Sequence, residues 1–339
     1  MSKKKFNVAV VGATGAVGEA MIEVLTERKF PIDNLYPLAS ERSMGSTVMY
    51  KGHPLLVGDL SKFDFTKADI ALFSAGGSVS ADFAPVAAKA GCVVIDNTSH
   101  FRYEDDIPLV IPEVNPEKIA EYKNRGIIAN PNCSTIQMLV ALKPIYDAVG
   151  ISRINIATYQ AVSGSGRAAV EELAHQVAEL LNGRPVKPKV YAQQIAFNVL
   201  PHIDAFQPNG YTKEEMKMIW ETQKIFGDPD IKVNPTAVRV PVFYGHSEAV
   251  HIETRKKITA DEAKALLAHA PGVHLLADDE SYPTPAIHVA GQDLVFVGRV
   301  REDLSHPTGL NLWVVADNVR KGAATNAVQI AEILIKDYL

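Results

Sequence analysis

The residue best suited to nucleophilic chemistry is Cys133, in the stretch IIANPNCSTIQMLVAL at residues 127–142. Asn132 is a favourable N-cap residue, so the pattern predicts a helix that begins at Cys133. A thiol at a helix N-terminus has a lowered pKa, because the positive end of the helix dipole stabilises the thiolate. This position favours a nucleophile, and the alternative is a capped helix whose first turn happens to hold a cysteine.

A histidine and an arginine could complete such a site. In AVRVPVFYGHSEAVHIETR, residues 237–255, alternating apolar residues predict a strand that stops at Gly245-His246. Arg239 lies seven residues earlier, which would put the two side chains on opposite faces of a continuous strand. Pro241 allows a bulge that would change this, so convergence does not follow from spacing. A histidine at such a position is more often structural than catalytic.

Composition excludes several classes of protein. The 339 residues suggest two domains, and a net charge of −5 gives no basic footprint for nucleic acid. The apolar run after the first five residues is too short for a membrane span and lacks a cleavage site, which predicts a soluble cytoplasmic protein. Two cysteines argue against a disulfide framework, and Cys92 reads as a small core residue. The ten histidines show no metal-ligand spacing, so no metal site is expected.

The elements that would position this chemistry begin with a glycine-rich loop. FNVAVVG, residues 6–12, indicates a buried parallel strand, and residues 16–28 indicate the following helix. Gly12 ends the strand segment, Gly15 lies between the two elements, and Gly18 lies in the helix. Glycines allow a close approach to a pyrophosphate, and the helix N-terminus supplies N–H donors. The loop therefore predicts dinucleotide binding, against the alternative of a plain strand–helix turn.

The second predicted strand, residues 34–40, should end near the adenosine ribose. An NAD site usually has an acidic residue at this strand end. Here the strand ends at Ser40 and is followed by Arg42 and Ser43, which favours the 2′-phosphate of NADP. Glu41 argues the other way, and a solvated loop arginine is the alternative.

Two further strands, at residues 69–77 and 91–101, continue the alternation of strand and helix. The first ends in a glycine pair, Gly76 and Gly77, that could pass under a cofactor. This alternation predicts an α/β fold with a doubly wound parallel sheet, whose ligands bind beyond the carboxyl ends of its strands. A short-chain dehydrogenase is disfavoured because no tyrosine has a lysine four positions on.

Together, five motifs in order resemble the aspartate-β-semialdehyde dehydrogenase family over nearly the whole chain. They are VAVVGATGAVG, DNTSHFR, IIANPNCSTIQM, TYQAVSGSGR and RVPVFYGHSEAV. The resemblance implies the reversible NADP-linked conversion of L-aspartyl 4-phosphate to L-aspartate 4-semialdehyde and phosphate. It further implies a thioester on the cysteine and a place on the route to lysine, diaminopimelate, threonine and methionine.

The resemblance also assigns roles to residues. Cys133 would be the nucleophile, His246 the acid/base, and Gln160 would orient the acyl group. Substrate and phosphate would be bound by Arg102, Asn132, Glu214, Lys217 and Arg239. Cofactor-binding positions would be Gly12, Thr14, Gly15, Ala16, Val17, Ser40, Arg42, Ser43, Gly76, Ser163, Gly164 and Asn318.

Three of these residues have simpler interpretations. Glu214 and Lys217 are i, i+3 on a predicted helix with a capping box at Thr212, and would otherwise be a surface salt bridge. Arg102 lies beside the acidic YEDD, which offers surface partners.

The architecture implied is an NADP-binding domain at 1–130 and a catalytic and dimerisation domain at 131–317 with a largely antiparallel sheet. A C-terminal helix, 318–339, would return to the first domain, and the family forms homodimers. The alternative enzyme is N-acetyl-γ-glutamyl-phosphate reductase, whose acetylated amine needs no buried glutamate. A non-catalytic NADP-binding sensor is an alternative from another class.

Overall fold

The chain divides into two units, which a computed structural model describes over residues 4–276 and 282–339. The first unit runs to Asn132 and resumes from Ala323 to Leu339, and the second is Cys133–Gly322.

A six-stranded parallel sheet forms the centre of the first unit, in the order β5-β2-β1-β6-β7-β8. Its members and the other elements up to residue 132 are β1 (Phe6–Val11), α1 (Ala16–Glu27), β2 (Ile32–Ala39), β3 (Thr47–Tyr50), β4 (His53–Leu56), β5 (Gly58–Asp59), β6 (Ile70–Phe73), α2 (Gly77–Lys89), β7 (Val93–Asp96) and β8 (Ile127–Ala129). β3 and β4 form a separate hairpin. The central strands are nearly continuous apolar runs, as expected for buried parallel strands.

The direction of winding reverses between β1 and β6, which are neighbours in this sheet. In such sheets the crevice outside the carboxyl ends of the strands at this reversal is the usual ligand site. The prediction of a doubly wound parallel sheet is confirmed.

A second six-stranded sheet, in the order β10-β9-β11-β14-β13-β12, forms the centre of the second unit. The elements from residue 133 onward are α3 (Cys133–Val149), β9 (Ile151–Gln160), α4 (Arg167–Leu181), α5 (Lys213–Phe226), β10 (Lys232–Arg239), β11 (His246–Thr254), α6 (Ala260–Ala268), β12 (Val273–Leu275), β13 (Val295–Glu302), β14 (Gly309–Ala316) and, in the first unit, α7 (Thr325–Asp337). The three inner pairings are antiparallel and the two outer ones are parallel, so the expected largely antiparallel sheet is found.

The prediction of a strand that stops at Gly245-His246 is wrong, because His246 opens a strand and does not end one. β10 ends at Arg239, residues 240–245 leave the ladder, and β11 begins at His246. Pro241 has no N–H to donate to a ladder, and β10 and β11 lie on opposite sides of β9. The alternating apolar pattern therefore spans two strands and the crossing between them.

Within the described ranges, no helix combines the length and the apolar character needed to cross a membrane.

Candidate active site

Three polar side chains meet at one end of the second sheet because of its register. Arg239 at the end of β10 pairs with Gln160 at the end of β9. On the other side of β9, Ser247 pairs with Tyr159, which puts His246 beside Gln160. The Nε2 atoms of Gln160 and His246 are 3.5 Å apart. The sheet therefore brings together residues that the sequence spacing left unconnected.

His246 is fully buried, and its ring has a defined hydrogen-bonding state. The backbone N–H of Ala161 donates to His246 Nδ1 at 3.0 Å. A nitrogen that accepts cannot carry the proton, so the neutral ring carries it on Nε2. Burial, and then the charge of Arg239, lower the His246 pKa to about 3, against an opposing effect of Glu214. His246 is therefore neutral at physiological pH.

Glu214 connects the strand ends to α5. Its Oε1 accepts from Gln160 Nε2 at 3.1 Å, and its Oε2 lies 2.9 Å from Lys217 Nζ. Lys217 also pairs with Asp204 at 2.9 Å. The predicted capping box of Thr212 and Glu215 is present and starts this helix. Glu214 and Lys217 do form an i, i+3 pair, but their side chains are only 7% and 12% exposed, so the pair is not on the surface.

Arg239 is buried and has a hydrogen-bond donor to spare. Its Nη1 donates to the Ala161 carbonyl at 2.6 Å, and its guanidinium lies 6.0 Å from the centre of the Tyr191 ring. Its Nε has no hydrogen-bond partner among the described residues. A buried guanidinium with an unused donor is suited to an anionic group, and carboxylates are bound well by such a fork.

Cys133 is the first residue of α3, as predicted, and is partly exposed. A Cβ added at Gly322 would lie 2.8 Å from the Cys133 Cβ, so glycine at that position leaves room beside the thiol. Cys92, in contrast, is 1% exposed, and burial raises its pKa to about 12. Its interpretation as a core residue is confirmed.

Ser163, Gly164 and Asn318 lie next to this cluster. Asn318 Nδ2 donates to Ser163 Oγ at 3.0 Å, and Asn318 Oδ1 accepts from the Gly245 N–H at 3.0 Å. Asn318 thus holds the residue before His246. A Cβ on Gly164 would lie 3.0 Å from Arg239 Nη1 and 3.3 Å from His246 Nε2, so this glycine keeps the cluster open.

In the first unit, a cavity of about 560 Å³ lies at the carboxyl ends of β1, β2 and β6. Its wall includes Gly12, Thr14, Gly15, Ala39, Ser40, Glu41, Ser43, Asp59, Leu60, Ser61, Ser74, Ala75, Val79 and Phe83. Gly12 has a φ of +87°, and a Cβ there would lie 2.9 Å from the Ala75 nitrogen. No side chain caps the N-terminus of α1, where Ala16 and Val17 begin the helix, so its N–H groups suit a pyrophosphate. The Arg42 side chain is exposed, next to these wall residues.

Two predicted substrate residues belong to the first unit. Arg102 is 6% exposed and donates from Nη2 to the Asn97 carbonyl at 2.9 Å, so it is not a solvated surface arginine. Asn132 is also buried.

Gly76 has a φ of +99° and precedes α2. Over the described part of the chain, no group of three or more His, Cys, Asp or Glu is placed to hold a metal ion.

Comparison with known proteins identifies the family. Residues 7–122 match the family described as semialdehyde dehydrogenase, NAD binding domain, and residues 142–321 match semialdehyde dehydrogenase, dimerisation domain. An aspartate-semialdehyde dehydrogenase of Shewanella sp. (strain DB6705) is 66% identical over 335 residues, which is 99% of each chain. The chain belongs to the aspartate-semialdehyde dehydrogenase family.

Solved members of this aspartate-semialdehyde dehydrogenase family have the same fold. Aspartate semialdehyde dehydrogenase II of Vibrio cholerae, complexed with ASA, is 64% identical, has a TM-score of 0.98 and covers 99% of this chain and 100% of its own. The Candida albicans enzyme with NADP is 27% identical, with a TM-score of 0.77 and 98% of both chains covered. The family resemblance drawn from five motifs is confirmed.

The sequence motifs did not reveal several residues that lie near Cys133 or near the cluster of Gln160, Glu214, Arg239 and His246. Gly322 is far from Cys133 along the chain, and no local pattern links them. Asp204, the second partner of Lys217, lies in an irregular segment. Glu248 gave a signal, because it is two residues after His246 and so faces the same side of β11.

Proposed function

We propose that the protein catalyses the reversible, NADP-dependent conversion of L-aspartyl 4-phosphate to L-aspartate 4-semialdehyde and phosphate. This step would serve the synthesis of lysine, threonine and methionine. The observation that carries the proposal is 66% identity to an aspartate-semialdehyde dehydrogenase over 99% of both chains. The cluster of Gln160, Glu214, Arg239 and His246 supports it, because each has a use in this reaction.

A zwitterionic amino acid needs one cation and one anion in its pocket. Arg239 would bind the α-carboxylate through the donors that Ala161 leaves unused. Glu214, 5% exposed, would bind the α-ammonium. A buried carboxylate is out of place beside the acetylated amine of N-acetyl-γ-glutamyl phosphate, which disfavours the reductase of that compound. We propose Arg102, Asn132 and Lys217 as phosphate ligands from the family resemblance.

The cavity of the first unit fits a dinucleotide. Gly12 supplies the close turn, and the first turn of α1 supplies N–H donors for the pyrophosphate. Thr14, Ser40 and Ser43 would surround the ribose, with Arg42 at its 2′-phosphate, and Gly76, Ser163, Gly164 and Asn318 would lie nearer the nicotinamide. The C. albicans relative with NADP supports this cofactor. When bound, the dinucleotide would supply or accept a hydride.

Cys133 would carry the covalent chemistry. Its thiolate attacks the acyl carbon, a C–S bond forms, and the C–O bond to phosphate breaks, leaving a thioester. In the thiohemiacetal formed on reduction, the carbonyl reforms while the C–S bond breaks, which releases the aldehyde and restores the sulfur. N–H donors in the first turn of α3 would stabilise the oxyanion of each tetrahedral state.

His246 would act in this cycle through Nε2–H. The Ala161 N–H occupies Nδ1, so Nε2 carries the exchangeable proton of the neutral ring. The acid–base role assigned to it would then be a hydrogen bond from Nε2–H to the oxyanion of the thiohemiacetal, which re-forms the carbonyl as the sulfur leaves as the thiolate, so that no proton has to leave the neutral ring. Gln160, bound to Glu214, would orient the acyl oxygen.

A homodimer is proposed through the second sheet. Tyr159 is 40% exposed and lies 5.7 Å, centre to centre, from the ring of Trp313 on the face opposite His246. The match of residues 142–321 to a dimerisation domain supports this assignment. Exposed aromatic side chains on a sheet face are typical of an interface.

The test is a steady-state assay with aspartate semialdehyde, NADP and phosphate. The proposal predicts NADPH formation that is lost when phosphate is left out and is absent in Cys133→Ser. Equal rates without phosphate would contradict it, and so would faster turnover of N-acetyl-glutamate semialdehyde. A non-catalytic sensor would bind NADP equally well in Cys133→Ser and reduce none of it in either protein.

A further inference from the structure

The Tyr191 segment, residues 187–200, contains no helix or strand and lies against Arg239. At its end, the Leu200 N–H donates to the Arg239 carbonyl at 2.9 Å, and the Arg239 N–H donates to the Leu200 carbonyl at 2.8 Å. Within it, the Tyr191 ring faces the Arg239 guanidinium, whose central carbon lies 6.0 Å from the ring centre. This distance is the outer limit of a cation–π contact. The segment therefore contacts both the backbone and the side chain of the residue proposed to bind the α-carboxylate.

The guanidinium of Arg239 has few other contacts that would fix its plane. Nη1 donates to the Ala161 carbonyl at 2.6 Å, and Nε has no hydrogen-bond partner among the described residues. Gly164 lies beside Nη1 but has no side chain to restrict it. A hydrogen bond at one nitrogen alone leaves the planar group able to turn about that bond. The ring of Tyr191 is the face that restricts this rotation.

Glu172, a buried residue of α4, anchors the backbone just before Tyr191. Its Oε2 accepts from the N–H of Lys189 at 2.8 Å and from the N–H of Val190 at 2.6 Å. Its Oε1 accepts from Gln176 Nε2 at 3.2 Å. Three N–H donors around the two oxygens suit a carboxylate, which only accepts hydrogen bonds. These bonds hold the part of the chain from which the Tyr191 ring projects.

Gln176, one helical turn after Glu172, anchors the backbone beyond Tyr191. Its Oε1 accepts from the N–H of Ile195 at 3.0 Å and from the N–H of Ala196 at 3.1 Å. Together with the bond from Nε2 to Glu172, these contacts fix the amide, because turning it over would set its NH2 group against two backbone donors. Tyr191 thus lies between two anchored points, and it packs against a buried apolar cluster to which α4 contributes.

We propose that Tyr191 is a positioning residue, whose ring sets the plane of the Arg239 guanidinium for the α-carboxylate of the substrate. Glu172 and Gln176 act one step further out and hold that ring in place. A guanidinium binds a carboxylate through two parallel N–H bonds, which form only when the two groups share a plane. The inference rests on the proposed function, because it takes the α-carboxylate of aspartate semialdehyde as the ligand of Arg239.

Kinetics of two variants test the role of the ring. Tyr191→Phe keeps the ring, so KM for aspartate semialdehyde should stay within about twofold of wild type. Tyr191→Leu keeps an apolar side chain on the cluster but removes the ring, so this KM should rise about fivefold, while KM for NADP and KM for phosphate stay within about twofold. An unchanged KM for aspartate semialdehyde in Tyr191→Leu would overturn the proposal. So would an equal rise in all three KM values, or the same rise in Tyr191→Phe.

The nuclear magnetic resonance signal of the Arg239 Nε–H group tests the contact without turnover. In protein labelled with ¹⁵N-arginine, the signal is assigned by its absence from Arg239→Lys. The ring current of an aromatic side chain changes the chemical shift of a nearby proton. The signal should therefore move in Tyr191→Leu and stay near its wild-type position in Tyr191→Phe. The same position in all three proteins would overturn the contact, whereas failure of the proposed function would appear as a wild type that shows the expected signals and does not oxidise aspartate semialdehyde.

Glu172→Gln tests the anchor, with Glu171→Gln as its matched control. Glu171 precedes it on α4, is exposed and loses the same charge. In Glu172→Gln an NH2 group faces either the two backbone donors or the Gln176 amide, so KM for aspartate semialdehyde should rise about fivefold in the folded variant, as in Tyr191→Leu. It should stay unchanged in Glu171→Gln, and equal KM values in these two variants would overturn the role of Glu172. The Tyr191 variants test the ring whether or not Glu172→Gln folds.

Discussion

Substitution of Gly322 by alanine should impair the thiol without changing its chemistry. A Cβ at this position would lie 2.8 Å from Cys133 Cβ and 3.4 Å from Cys133 Cα, both close to the backbone of α3. Gly322 is not in the left-handed region, so alanine meets no backbone penalty there. The change therefore acts through the space beside Cys133 alone.

The size of the effect follows from that distance. Ordinary contact begins at 3.4 Å, so the two carbon atoms must separate by about 0.6 Å. Because neither is at the end of a flexible side chain, the start of α3 or the segment that carries Gly322 has to move. A misplacement of about 1 Å can cost about 100-fold in rate, so roughly a tenfold loss of kcat is expected. Overpacking should also lower the free energy of unfolding by about 1–3 kcal/mol.

The assay is steady-state oxidation of aspartate semialdehyde, run well below the melting temperature measured by circular dichroism. Gly58→Ala is the matched control, since its Cβ would lie 3.2 Å from the end of the Leu38 side chain and at an ordinary contact distance, 3.7 Å, from the Pro37 carbonyl oxygen. Gly58 has no role in the proposed site. The control should keep its kcat. A kcat for Gly322→Ala within twofold of wild type, in a folded protein, would refute the reasoning.

Three further outcomes are expected. One equivalent of a thiol alkylator should abolish activity by modifying Cys133 well before the buried Cys92, whose pKa is about 12; equal labelling by mass spectrometry with activity retained would count against this. The pKa of His246 is about 3 when folded, against an ordinary 6.5, so the unfolded chain binds more protons and stability falls with falling pH. In denaturant unfolding, the free energy of unfolding of the wild type should fall by about 2 kcal/mol between about pH 6.5 and 4.5, and His246→Gln should lack this fall. The same dependence of the unfolding free energy on pH in both proteins would contradict this. Arg42→Ala should raise KM for NADP more than for NAD, and equal effects would defeat the 2′-phosphate assignment.

The features that the sequence predicted correctly depend on local physics. The glycine loop between β1 and α1, the helix that begins at Cys133 and the capping box at Thr212 each involve residues a few positions apart. Their residue types restrict backbone conformation or supply hydrogen bonds within one turn. Such signals can be read without knowing what the segment packs against.

The convergence of Arg239 and His246 could not be predicted in this way. It depends on β9 lying between β10 and β11, and strand order is set by contacts distant in sequence. The same limit applies to burial. The charges of Glu214 and Lys217 suggest a surface pair, whereas the packing of α5 against β10 leaves both side chains largely buried. Glu248 sits in a motif that was recognised, but its lack of a charged partner is a property of the packed core.

The most direct test of the account is whether Cys133 carries the acyl group during turnover. The enzyme should be mixed with aspartyl phosphate in the absence of reduced cofactor, quenched in acid, digested and analysed by mass spectrometry. The account predicts an aspartyl adduct on the peptide that contains Cys133, removed by hydroxylamine and absent from Cys133→Ser. An adduct on another residue, or none while phosphate is released stoichiometrically, would contradict it.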